Sequence, residues 1–170
     1  MNIGSKTYNY ANDNTLSYIS SNLSEVTKTL EDDCVIAMEW FQANYMKANA
    51  EKFQLMFLSK QDTTNNQTLR INDKFIKSSS SINVLGIEID SKLNFKIHID
   101  DICNQTSKQI NALKRIKHYL DKQCKNTLYN SYIGSNFNYC PLVWMFTGKL
   151  NMDKLKKMNK RALRLLKIKI

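Results

Sequence analysis

Proline occurs once and glycine four times in 170 residues. That scarcity excludes a collagen-like or low-complexity chain and argues against a long flexible linker. Histidine occurs twice, as His98 and His118, and neither has the partner pattern of metal or triad chemistry. Both are read as structural or surface groups. The four cysteines, Cys34, Cys103, Cys124 and Cys140, lie too far apart for a CxxC-type zinc site. Three of them follow apolar or aromatic patterns, which predicts reduced core thiols, with a disulfide framework as the lesser alternative. No run approaches the ~20 apolar residues of a membrane-spanning helix. No secretory leader is recognisable. Together these absences predict an intracellular protein, of cytoplasm or nucleus, rather than a secreted one.

Acidic residues are scarce in the second half of the chain. Residues 1–90 hold 8 Lys/Arg and 11 Asp/Glu, a net of −3, whereas residues 91–170 hold 17 and 4, a net of +13. The two halves give the overall +10. So lopsided a distribution suggests a basic lobe facing a polyanion, nucleic acid first and an anionic membrane second. A Lys-rich solvated surface is the plain alternative.

The apolar pattern orders the chain. Residues 7–10 and 15–19 are β-prone pieces around Ala11-Asn12-Asp13-Asn14, a hairpin signal by composition. Asn22 followed by Glu25 resembles a capping box opening a helix of about 22–45. Its apolar face carries Leu23, Val26, Leu30, Cys34, Ala37, Met38 and Phe41. The run Phe53–Leu58 suits a buried strand, and 62–67 a polar loop. Strands are expected at 69–71 and 75–76 across Asn72-Asp73, and again over 82–89, broken at Gly86. Beyond residue 90 the pattern is helical. A stripe from Ile99 to Leu120 has Asp100 and Asp101 in its first turn, a second helix covers about 122–134, and a last one about 151–168. The expected fold class is α+β, with hairpin, helix and short antiparallel strands over 1–90 and a basic all-helical lobe over 91–170.

The tetrad Tyr10-Ala11-Asn12-Asp13 is one substitution from Tyr-Ala-Asp-Asp, and further short motifs follow it in order. They are Trp40-Phe41-Gln42-Ala43-Asn44, Lys47 to Phe53, Val84-Leu85-Gly86-Ile87-Glu88-Ile89-Asp90, Leu93-Asn94-Phe95 with His98-Ile99, Tyr139-Cys140 with Trp144, and Lys160 to Arg164. In this series the chain resembles the C-terminal part of non-LTR retrotransposon reverse transcriptases, from about Tyr8 to Ile168. The resemblance implies a partial polymerase palm over 1–90, running from the catalytic-turn hairpin to the primer-grip hairpin. It implies a basic thumb or connection region over 91–170.

The resemblance places Asp13 at the second catalytic carboxylate and Asn12 at the first. Such carboxylates hold two divalent cations that clamp the attacking and leaving oxygens. Asn12 offers a neutral carbonyl oxygen where the family has a charge, so attraction for a dication falls. Asp13 alone makes an incomplete metal site. The intact family uses Mg²⁺, and this chain is expected to bind none by itself. Lys52 matches a palm lysine able to protonate departing pyrophosphate, and is equally readable as a solvent lysine beside a strand. Leu85 and Gly86 fall in the primer-grip segment, where Gly86 either lets backbone approach the primer or marks a strand bulge. With nine residues before Tyr10, the fingers and first catalytic Asp of the family are not expected here. The chain is therefore expected to be catalytically inactive by itself, and whether it is an enzyme at all is left open.

The resemblance implies a template–primer duplex of RNA or DNA as partner. Lys108, Lys114, Arg115, Lys117, Arg161 and Arg164 are the candidates for its phosphates. Tyr129, Tyr132, Phe137, Tyr139 and Trp144 read as core by spacing, with base stacking as the alternative. A non-catalytic nucleic-acid-binding or protein-interaction helical module is the second functional reading.

Overall fold

The computed structural model describes residues 3–59 and 67–168. The polar loop expected over 62–67 lies, except for Gln67, outside the described residues. The chain divides into two compact units, one up to Gly86 and one from Ile87. The secondary structure is a mixture of short strands and helices, an α+β composition.

In the first unit, β1 (Lys6–Tyr10) and β2 (Asp13–Ser17) form an antiparallel hairpin in which Tyr10 pairs with Asp13. The turn is only Ala11-Asn12, with Ala11 at φ 49°. It is two residues shorter than the composition suggested, so Asp13 and Asn14 are strand residues. Helix α1 spans Leu23–Ala43 and is capped by the Asn22 side chain, which accepts from Ser24 N at 3.0 Å. The reciprocal half of the capping box is absent. Glu25 instead accepts from Tyr18 Oη (2.8 Å) and Ser20 Oγ (2.6 Å), and Ser20 Oγ takes the Asn22 N–H. These hydroxyls hold the Glu25 carboxyl below the ordinary carboxylate range.

Helix α1 packs on β3 (Thr68–Ile71), which pairs with β4 (Lys74–Lys77) across Asn72-Asp73. Asn72 takes the left-handed conformation that such turns need, at φ 53°. Glu31 of α1 accepts the Arg70 N–H at 2.7 Å. Phe53–Leu58 is not a strand. Among the described residues it makes a single bridge, Leu55 to Ser78, and it is the Gln54 side chain, not its backbone, that bonds the Asn83 main chain. A 3₁₀ turn, Ala50–Lys52, precedes it. The core of this unit is thin. Its buried apolar side chains are Val26, Phe57 and Leu69, and the rest of the predicted α1 face is only half-buried.

Strands β5 (Ser81–Val84) and β6 (Ile87–Asp90) flank the turn where the chain passes from one unit to the other. Leu85 and Gly86 both have positive φ, 50° and 80°. Two consecutive left-handed residues are the signature of a type I′ turn. Gly86 is thus a turn glycine rather than a strand bulge.

The second unit is built on α2 (Lys96–Ile116) and α6 (Lys149–Leu166). Helix α2 starts three residues earlier than predicted, so Asp100 and Asp101 sit in its second turn. Its entrance is organised by buried Asp90. That carboxylate accepts from Lys92 N and Asn94 N (3.1 and 3.2 Å, Oδ1) and from Phe95 N (2.6 Å, Oδ2). Leu93 and Phe95 are held at φ 53° and 57°, conformations that would be costly without such support.

Between the two long helices run α3 (Lys122–Leu128), capped by Asp121, a π-helical segment (Tyr129–Gly134), α4 (Ser135–Asn138) and α5 (Pro141–Trp144). The predicted second helix therefore continues to 138. Ser131 and Ser135 each donate to the carbonyl four residues back, at 2.8 Å, which competes with the regular ladder around the wide turn. A Cβ at Gly134 would come within 3.3 Å of the Tyr129 carbonyl oxygen.

Two apolar clusters fill the unit. Ile87, Ile99, Ile102, Trp144 and Leu155 form one, and Ile110, Leu113, Ile133, Ala162 and Leu166 the other. Since early α2 residues meet early α6 residues and late meet late, the two helices run in the same direction. Thr106 and Gln109 are buried too, and Asn136 of α4 donates to Gln109 Oε1 at 2.6 Å.

The core reading of the aromatics holds for Trp144, whose indole donates to the Tyr139 carbonyl (3.1 Å), and for half-buried Tyr129 and Phe137. Tyr132 and Tyr139 are exposed instead. All four cysteines are free. Cys34 and Cys103 are half-buried, but Cys124 and Cys140 are exposed, so the pattern's third core thiol is not found. Cys124 lies in the first turn of α3, and Cys140 occupies a left-handed bend before Pro141.

Candidate functional site

The polymerase-like turn comes first in the chain. Asn12 is at the tip of the β1–β2 hairpin and Asp13 opens β2, both exposed. Lys52 is exposed at the end of the 3₁₀ turn. Among the described residues, the side chains of Asp13 and Lys52 have no hydrogen-bond or ion-pair partner, so nothing orients them toward a common reacting atom. No group of three His, Cys, Asp or Glu residues that could hold a metal ion occurs among the described residues. The donor set at the turn is one carboxylate and one carboxamide. A two-cation site demands more charge than that, so the residues present do not fit one.

The hairpin is tied down at its base rather than at its tip. Asp33 of α1 is buried and accepts from Gly4 N (3.0 Å) and Ser5 N (2.6 Å). Tyr8 and Tyr10 on the other hand stay largely exposed, with Lys6 Nζ 5.2 Å from the Tyr8 ring centroid.

The second unit carries a groove between α2 and α6. Its first part, about 500 Å³, is lined by Asp100, Cys103, Asn104, Lys154, Lys157, Met158 and Arg161. The second, about 360 Å³, is lined by Ile110, Asn111, Lys114, Arg161, Arg164 and Leu165. Arg161 is common to both. The parallel packing explains this row. The inner faces of α2 and α6 meet in the two clusters, and the residues beside those faces line the seam. Burial pushes the Cys103 thiol up, so it is a neutral wall group there.

The two ends of the groove differ electrically. At the start of the helices, Asp100 accepts from Lys154 Nζ at 2.6 Å and pairs with Lys96 at 3.4 Å. The Lys154 bond chiefly holds the Asp100 carboxyl below its ordinary range and raises Lys154 in turn. Toward the far end, Lys157, Arg161, Lys114 and Arg164 have no acidic partner among the described residues. Lys114, Arg115 and Arg164 stand in the last turns of their helices, where cations also complement the helix dipole.

Three of the sequence-predicted residues, Lys114, Arg161 and Arg164, are thus brought together along one groove. Lys108 and Arg115 are exposed on α2, and Lys117 is half-buried just after it, none of them lining the groove. Leu85 and Gly86 are exposed at the turn between units. The groove adds Asp100, Asn104, Lys154 and Lys157. The signal for them was present as the i, i+4 spacings Lys96–Asp100 and Lys157–Arg161, but their facing across two helices was not readable from one dimension.

An α+β chain whose second unit is a basic helical bundle with a cationic seam is the class these observations define. Over 91% of its length, the chain is similar to the protein named Probable RNA-directed DNA polymerase from transposon BS of Drosophila melanogaster, with 23% identity over 159 residues. The chain spans 18% of that protein's length. The likeness to an RNA-directed DNA polymerase of a transposon agrees at the family level with the motif series. No protein-family model matches the chain, and no solved structure matches it. Among the described residues no helix is long and apolar enough to cross a membrane.

Proposed function

We propose that this chain is a palm-end and thumb segment of a retroelement reverse transcriptase. Its surviving activity is binding the sugar–phosphate backbone of a template–primer duplex through the α2–α6 groove. The observation that carries the reading is the row of cations Lys157, Arg161, Lys114 and Arg164 on one seam, without an acidic partner among the described residues, in a chain similar to a transposon polymerase. Cations along a seam neutralise phosphates without reading bases, which suits a polymerase that must hold any sequence. The reading also holds that the chain does not catalyse by itself. In an active polymerase Mg²⁺ would neutralise charge on the transferred phosphate. Asn12 and Asp13 supply too little charge to hold the pair of ions, and no partner among the described residues orients Lys52.

Equilibrium binding of the full chain to a 20-base-pair duplex across a salt series tests the binding half. Four phosphate contacts predict a slope of log K against log salt of about −3.6, at about −0.9 each. A slope near zero would refute it. A protein-interaction module is the second reading, favoured by the exposed apolar side chains Leu142, Val143, Met145, Phe146 and Leu150.

A further inference from the structure

We infer that Asp100 ends the phosphate track of the α2–α6 groove, so that Lys154 and Lys96 lie beside a bound duplex without contacting it. This rests on the reading of the groove as a duplex-backbone site. Counted by residue type alone, α6 offers four cations in a row at 154, 157, 161 and 164. The helical rise puts them over about 15 Å. The structure divides that row. Lys154 is engaged by Asp100 Oδ1 at 2.6 Å, and the other carboxylate oxygen faces Lys96 at 3.4 Å. One anion thus occupies two cations at the mouth of the groove, while the next cation, Lys157, has no acid partner among the described residues.

An exposed ion pair is weak, so the strength of the Asp100–Lys154 pair does not by itself keep a phosphate out. The carboxylate does. A phosphate drawn to Lys154 would sit beside the Asp100 charge, and what it gained from the lysine would be offset by that repulsion. Exchange of one anion for another at Lys154 also releases no net counterion, which is the source of affinity at the other positions. Asp100 therefore acts as a positioning residue. It sets where along the groove the backbone begins to be held, and it biases the duplex toward the Arg161–Lys114–Arg164 end.

The salt series separates this from the simple charge count. In the wild-type background, Lys157→Gln and Arg161→Gln should each reduce the slope by about 0.9, whereas Lys154→Gln should leave it unchanged. Asp100→Asn should steepen the slope by one to two contacts, about 0.9 to 1.8. In that background Lys154→Gln should now cost about 0.9. A wild-type slope that falls as much with Lys154→Gln as with Lys157→Gln overturns the inference, as does an unchanged slope in Asp100→Asn. The Lys154→Gln and Lys157→Gln comparison keeps Asp100 intact, so the test does not depend on the Asp100 variant folding. If instead the wild type shows no salt-dependent binding, the duplex reading itself fails. If an acidic peptide displaces the duplex at matched charge, the groove belongs to a protein partner, and the inference is overturned.

Discussion

Asp33, Asp90 and His98 are three buried polar residues that the charge pattern did not single out, and the main chain around them accounts for the two carboxylates. Asp33 accepts two N–H groups at the base of the β1–β2 hairpin, and Asp90 accepts three at the turn into α2. His98 is buried with its Nδ1 near Glu88 N at 3.5 Å and its Nε2 unpartnered among the described residues. Burial pushes the His98 imidazole below its usual 6.5, with Asp101 and Glu88 pulling weakly the other way. The unfolded chain therefore takes up the proton first. The stability from neutral His98 is complete above pH 6.5 and is lost as pH falls from there through the depressed folded value. Thermal melts between pH 7.5 and 5.5 should show the wild type losing Tm on acidification and His98→Gln losing less. Parallel pH profiles would contradict this account.

At the scale of elements, the long helices and the helical stretch over 122–134 were legible, whereas α4 and α5 on either side of the bend at Cys140 were not. The stripe Ile99–Ile102–Thr106–Ile110–Leu113 is a strong periodic signal, and α2 buries that face. Helix α2 starts earlier than the stripe predicts because its N-cap residue, Phe95, supplies no side-chain cap. The Lys96 N–H goes to Asn94 Oδ1 (2.9 Å), and Asp90, five residues before Phe95, fixes the preceding turn with its two left-handed residues. Such a device leaves no periodic trace. Asp90→Ala should strand three N–H groups and relax that turn, at a cost of about 2–3 kcal/mol judged from hydrogen bonds to charged acceptors. Urea unfolding measures it, and a loss below ~1 kcal/mol would show that the turn holds itself. The run Phe53–Leu58 failed in the opposite direction. Its apolar composition fits a strand, but a strand exists only where another backbone is free to pair with it.

At the scale of the molecule, charge asymmetry and site geometry point the same way. The net +13 of residues 91–170 is concentrated in the unit that has two apolar clusters and a seam of cations. The unit bearing the polymerase-like turn has a thin core and a hairpin with exposed Tyr8, Tyr10 and Asp13. Restoring the missing charge with Asn12→Asp should therefore not produce template-dependent nucleotide incorporation with Mg²⁺. Two adjacent carboxylates on an exposed hairpin still lack a third acidic ligand among the described residues. Primer extension on the purified variant decides this, and incorporation above the wild-type level would refute it.

The sequence by itself determined the ancestry signal, the helical stripes, the Asn72 turn and the basic half. Each of these is local in the chain or a sum over it, so no knowledge of packing is needed to read it. Only the tertiary structure decided which cations work together. Lys114 joins Arg161 and Arg164 because α2 and α6 run parallel and share a core, while Lys108, Arg115 and Lys117 do not line the groove. The same packing sets Asp100 against Lys154, 54 residues away, and so gives the groove its polarity. Electrostatics depends on distance through space, and a one-dimensional charge count contains none.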